Sequence, residues 1–120
     1  MPRKSAQKVL REALLAHRLE TLAALVDREA ELTGRVLDAA VVREKLVLTL
    51  FAKWPEPGCL SVWFAQSPAA LGLPEDPEAW AGRLVRVRGV IRPGTVEQTF
   101  WLGVSSSDQI AVLAEEPVAD

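Results

Sequence analysis

The chain has 120 residues with 14 basic and 16 acidic side chains, 49 % apolar and 25 % charged, which is the profile of one globular domain and excludes a disordered tail. A single Cys (Cys59) and a single His (His17) exclude a disulfide scaffold and a zinc site built from Cys and His within one chain, because structural zinc takes about four such ligands. Asn and Tyr are absent, which reads as a GC-rich coding bias of the thermophile kind and not as a functional signal.

The start, Met1-Pro2-Arg3-Lys4, is followed by Arg11, Glu12, His17, Arg18 and Glu20. It therefore lacks the apolar stretch and small-residue cleavage site of a secretory signal. No uncharged run approaches the roughly 18 residues of a membrane span, so the expected location is the cytoplasm, with no membrane contact. Charge is unevenly placed: residues 1–28 sum to +3 and the rest to −5. A net-negative body argues against tight nonspecific duplex binding, which needs many neutralised phosphates. Within that body, Gly82 to Pro93 carries Arg83, Arg86, Arg88 and Arg92 and no acid, and local charge decides more than the total.

Residues 5–28 alternate apolar and charged groups at helical spacing with neither Gly nor Pro, which predicts one helix. Leu15, Leu19, Leu22 and Val26 form one stripe. Leu10, Leu14 and Leu25, with Thr21, form a second. Either both stripes pack on the same body while the Arg heads reach water, or one docks on the domain and the other on a partner or second copy.

From Ala30 the period changes from 3.6 to 2. Predicted strands run over Glu31 to Asp38, with Gly34 as a candidate bulge; Lys45 to Trp54; Cys59 to Gln66; Leu84 to Arg92; and Thr99 to Val104 with Gln109 to Leu113 as a bent or split fifth. Pro55-Glu56-Pro57-Gly58 turns strand two into strand three. Asp76-Pro77-Glu78-Ala79-Trp80-Ala81 predicts a short helix, capped by Asp76 and closed by Gly82. The organisation is then an amphipathic helix over 1–29, a β domain over 30–114 and a flexible acidic tail over 115–120.

The order β-β-β-α-β-β, with Trp80-Ala81-Gly82-Arg83-Leu84-Val85-Arg86-Val87-Arg88-Gly89-Val90-Ile91, the later Gln109-Ile110-Ala111-Val112-Leu113 and the opening Leu32-Thr33-Gly34-Arg35-Val36, resembles OB-fold nucleic-acid-binding domains. It is most similar to the nuclease-associated and anticodon-binding types. The resemblance covers about residues 30 to 113. It implies a mainly β, five-stranded Greek-key barrel, here with an N-terminal α-helix and a short helix between strands three and four.

Catalysis finds little footing. His17 lies in the predicted helix, Cys59 reads as a small apolar residue at a strand start, and Glu75, Asp76 and Glu78 fall where they favour a helix N-terminus. Neither a metal loop nor a Gly-rich phosphate loop is present, so no catalytic residue, metal or cofactor is expected. Binding finds more. Leu46, Leu48 and Leu50 share one face of strand two, leaving Val47, Thr49, Phe51 and Lys53 outward. On strand three, Leu60, Val62 and Phe64 point in, and Ser61 and Trp63 point out. Phe51 and Trp63 then form an aromatic platform on one hairpin, the kind on which single-stranded DNA or RNA stacks. On strand four Val85, Val87 and Ile91 go inward, and Arg86, Arg88 and Arg92 go outward as phosphate contacts; Trp101 faces outward on strand five. The competing reading is a protein-interaction or oligomerisation module, a homodimer through the helix or a partner that covers the aromatics, without nucleic acid.

Overall fold

The computed structural model describes residues 19–113. The alternating Val, Leu and Arg of this stretch build a mainly β domain with seven strands: β1 (Glu29–Val42), β2 (Lys45–Leu50), β3 (Leu60–Phe64), β4 (Leu84–Val90), β5 (Arg92–Pro93), β6 (Phe100–Val104) and β7 (Ile110–Val112). They lie in the order β5-β6-β3-β2-β1-β4-β7. All neighbours are antiparallel except β3 and β6, which run parallel.

β1 is long enough to serve two neighbours. Glu29 to Arg35 pair with β4, and Val36 to Val42 pair with β2. The register shifts between Val36 and Asp38, so the bulge sits at Leu37 and not at Gly34. Gly34 is regularly paired with Val85.

Three expectations are corrected here. The mixed sheet of seven strands replaces a closed barrel of five, and its outer strands β5 and β7 are not hydrogen-bonded to each other. Strand four breaks at Ile91, whose backbone is claimed by the end of the helical segment: Asp27 N–H donates to Ile91 O (2.7 Å) and Ile91 N–H to Arg28 O (3.1 Å). Strand five, by contrast, takes the split form of its expectation, as β6 and β7 on either side of Ser107–Gln109, a 3₁₀ turn. The expected helix between strands three and four is instead a pair of 3₁₀ turns, Pro68–Leu71 and Pro77–Ala79. Asp76 does cap the second, accepting from Glu78 N–H (3.0 Å). That turn stops at Trp80 because its indole is buried, donates to Pro74 O (2.8 Å) and meets the Phe64 ring at 5.6 Å between centroids. Gly82, at φ 80°, then reverses the chain into β4.

Of the predicted N-terminal helix, residues 19–24 are helical, residues 25–28 are not, and residues 5–18, with the Leu10, Leu14 and Leu15 positions and His17, lie outside the described residues. The helix ends short of the expected 28 because Asp27 adopts φ 65°, a left-handed conformation that Asp tolerates better than most residues. Leu22 is fully buried in the core, and Leu19, Leu25 and Val26 pack against it. The described part of both stripes therefore rests on the same body.

Candidate functional site

The outer face of β2, β3 and β6 is laid out by register. Val47, Trp63 and Gly103 are successive cross-strand partners in one row; Thr49, Ser61 and Trp101 form the next, and Arg92 of β5 continues it opposite Trp101. Trp63 and Trp101 thus occupy one diagonal of a four-residue square, and the small residues Gly103 and Ser61 occupy the other. With strands about 4.8 Å apart and about 3.3 Å of rise per residue, that diagonal spans on the order of 8 Å. Gly103 leaves its corner low: a Cβ there would stand 3.5 Å from the Trp101 ring. The two indoles do not stack on each other. Val47, Thr49 and Ser61 share this face by register yet are buried.

The square is the floor of an open groove of about 490 Å³ whose walls include Trp54, Lys45, Phe100, Gly94, Thr95 and Thr99. Trp54 is 55 % exposed and Trp101 39 %; Trp63 is half-buried. Trp54 reaches the groove from the 51–58 loop, which is tied down by Glu56 N–H to Lys53 O (2.7 Å) and Gly58 N–H to Gln98 O (2.8 Å). The opposite wall is the β5–β6 turn, where Gly94 N–H donates to Thr99 O (2.8 Å) and Thr99 Oγ1 to Val96 O (2.5 Å). Lys45 is exposed at the rim, without an ion pair among the described residues. Among the described residues no carboxylate lines the groove.

The structure brings Trp63 and Trp101 together, and separates Phe51 from them. β2 ends at Leu50 and not at Trp54, because Phe51 takes φ 74°. That single backbone change turns Phe51 off the outward face, to lie half-buried against the core and over Gly34, where an added Cβ would come within 2.6 Å of its ring. Lys53 is exposed in the loop beside Trp54 and is not part of the groove wall. Trp54, which replaces Phe51 as the third aromatic, was hidden by its reading as the last residue of a strand. Its signal was an indole followed at once by Pro55-Glu56-Pro57-Gly58, a turn that exposes whatever precedes it.

Arg86, Arg88 and Arg92 all point outward, each engaged by carboxylates: Arg86 with Glu31 (3.3 Å), Arg88 with Glu29 (3.6 Å) and Asp108 (3.1 Å), Arg92 with Asp27 (2.7 Å). The Ser106 hydroxyl and, less strongly, the Arg88 guanidinium hold the Asp108 carboxyl below the usual carboxylate range. Gln109 links this border to the groove. Its amide donates to Arg88 O and to Gly103 O, at 3.0 Å each, and its oxygen accepts from Ser105 N–H (2.8 Å) and Ser106 N–H (3.1 Å).

Cys59 is buried, and desolvation pushes its thiol above the ordinary value, the reverse of what a nucleophile needs. Among the described residues no group of His, Cys, Asp and Glu is placed to hold a metal ion, and no helix is long and apolar enough to cross a membrane.

No protein-family model matches the chain, and no curated protein matches it. Solved structures do. An aspartyl-tRNA synthetase from Entamoeba histolytica is similar over 83 % of this chain and 22 % of its own, at 18 % identity and TM-score 0.51. An asparaginyl-tRNA synthetase from Pyrococcus horikoshii is similar over 75 % of this chain and 20 % of its own, at 17 % identity and TM-score 0.51. This chain thus spans about a fifth of either. At these identities the likeness is one of fold alone.

Proposed function

We propose that the chain is a non-catalytic binding module for single-stranded DNA or RNA, with little sequence preference. In this reading unpaired bases stack against Trp54, Trp63 and Trp101, and a phosphate rests at Lys45. The sheet works as an OB-type barrel, with Gln109 joining β4 to β6 where the strand ladder is interrupted. The diagonal pair of indoles carries the reading. The Trp63 and Trp101 positions lie on the order of 8 Å apart on one face, so successive bases meet successive rings. Every base has a π-face, so such a site is tolerant of sequence.

Phosphate contacts were expected from Arg86, Arg88 and Arg92, and their carboxylate partners compete for that role. Lys45, on the groove wall and unpaired, is weighted ahead of them, and Lys53 next. Arg92 keeps a place through its position opposite Trp101. The fold likeness to tRNA-synthetase chains supports the reading at the level of architecture only.

The test is titration of labelled dT and rU oligomers against the native protein and the Trp54→Ala, Trp63→Ala and Trp101→Ala variants. Each variant should bind more weakly by about 1 to 3 kcal/mol with an unchanged circular dichroism spectrum, because these indoles stand on the surface and not in the core. Native protein that binds neither oligomer at low salt would end the proposal.

A further inference from the structure

We infer that the groove holds only a short unpaired stretch, and holds it by stacking more than by charge, so that its affinity depends weakly on salt. This inference rests on the single-strand reading above and departs from the norm for such proteins, where a basic track follows the backbone over about 4–16 nucleotides and salt dependence is strong. Three observations carry it. Among the described residues the groove wall holds one cation, Lys45, and no carboxylate. A strand that leaves past Trp101 meets Arg92, which sits opposite that indole and is already engaged by Asp27. A strand that leaves past Gly103 meets Arg88, whose carbonyl shares the Gln109 amide with that of Gly103 and whose guanidinium is held by Glu29 and Asp108. With Arg86 and Glu31 added, this border sets four carboxylates against three guanidiniums. Each of these three guanidiniums is already matched by a carboxylate, so the border offers little to a continuing phosphate chain, and the footprint ends where the indoles end, after about three bases, one to each ring.

The experiment titrates labelled dT oligomers of about three and about twelve nucleotides against the full chain at several salt concentrations between about 50 and 200 mM. At about 0.7 per single-strand phosphate contact, the slope of log affinity against log salt should lie between about −0.7 and −1.4 for both lengths. The triple variant Glu29→Gln, Glu31→Gln, Asp108→Asn, all at exposed positions, should steepen the slope by about 0.7 for each guanidinium it frees, for the long oligomer and not the short one. A native slope of about −3 or steeper, or a triple variant that leaves the long-oligomer slope unchanged, would overturn the inference while the single-strand reading stands. Failure of both oligomers to bind at any salt would overturn the two together.

Discussion

Phe51 and Trp54 are three positions apart and do different work because of one dihedral angle. At φ 74° the Phe51 backbone occupies the left-handed region that bulky residues rarely adopt, and the ring gains the bare surface of Gly34 in return. Phe51→Ala should therefore lower stability, by less than the about 3 to 5 kcal/mol of a fully buried Phe, since the ring is half-buried. Gly34→Ala should cost about 1 to 3 kcal/mol through the overlap of its methyl with that ring. Urea unfolding reads both losses, and oligomer titration of the folded fractions should read no change. A Phe51→Ala variant that keeps full stability but loses oligonucleotide affinity would return Phe51 to the binding face. Alternation along Leu46, Leu48 and Leu50, and along Leu60, Val62 and Phe64, was enough to assign the two faces of the hairpin and to set Trp63 on the outer one. It failed at Phe51 because Phe has no preference for positive φ, so nothing local announces that the strand ends one residue earlier.

Between elements, β4 and β6 meet at a seam without a strand ladder, and the Gln109 side chain bridges them. Gln109 is oriented without ambiguity: two carbonyls, of Arg88 and Gly103, need its donors, while two N–H groups, of Ser105 and Ser106, need its acceptor. Gln109→Glu keeps the shape and the acceptor and loses both donors, setting a carboxylate against two carbonyl oxygens. It should cost about 1 to 3 kcal/mol, seen as a lower urea midpoint, and Gln109→Ala should cost a similar amount. Equal midpoints for native and Gln109→Glu would mean that the seam is held by packing alone. Gly89 belongs to the same seam, since a Cβ there would approach Leu102 to 3.0 Å. The sequence already marked the bent or split fifth strand as a point of bending. What it could not mark were the ladder breaks, because Ile91 pairs with Val26, some 65 residues away in the chain, and such partners leave no periodic trace. The 3₁₀ turns replaced a helix for a similar reason: burial of Trp80 outweighed the helical preference of Glu78 and Ala79.

At the scale of the whole molecule, an exposed aromatic groove serves a nucleic acid or a protein, and only assembly separates the two. Association through the helix drew its support from two apolar stripes, but Leu19, Leu22 and Val26 of the first and Leu25 of the second all rest on the core of their own chain. Among the described residues the groove is an apolar surface for which a partner must be named, and surfaces of that kind mark interaction sites. If the partner is a single strand, the groove takes no part in self-association, and the mass of the native protein in sedimentation equilibrium should equal that of Trp63→Ala at every concentration. Addition of a short dT oligomer should raise the native mass by one oligomer per chain and leave Trp63→Ala unchanged at concentrations between the two dissociation constants, which stacking energies of about 1 to 3 kcal/mol per base set roughly 5- to 150-fold apart. If the groove instead buries itself against a second copy, the native protein should be heavier than Trp63→Ala, and the oligomer should either fail to bind or dissociate the assembly. Native and variant masses that differ in the absence of nucleic acid would therefore decide for the interaction module.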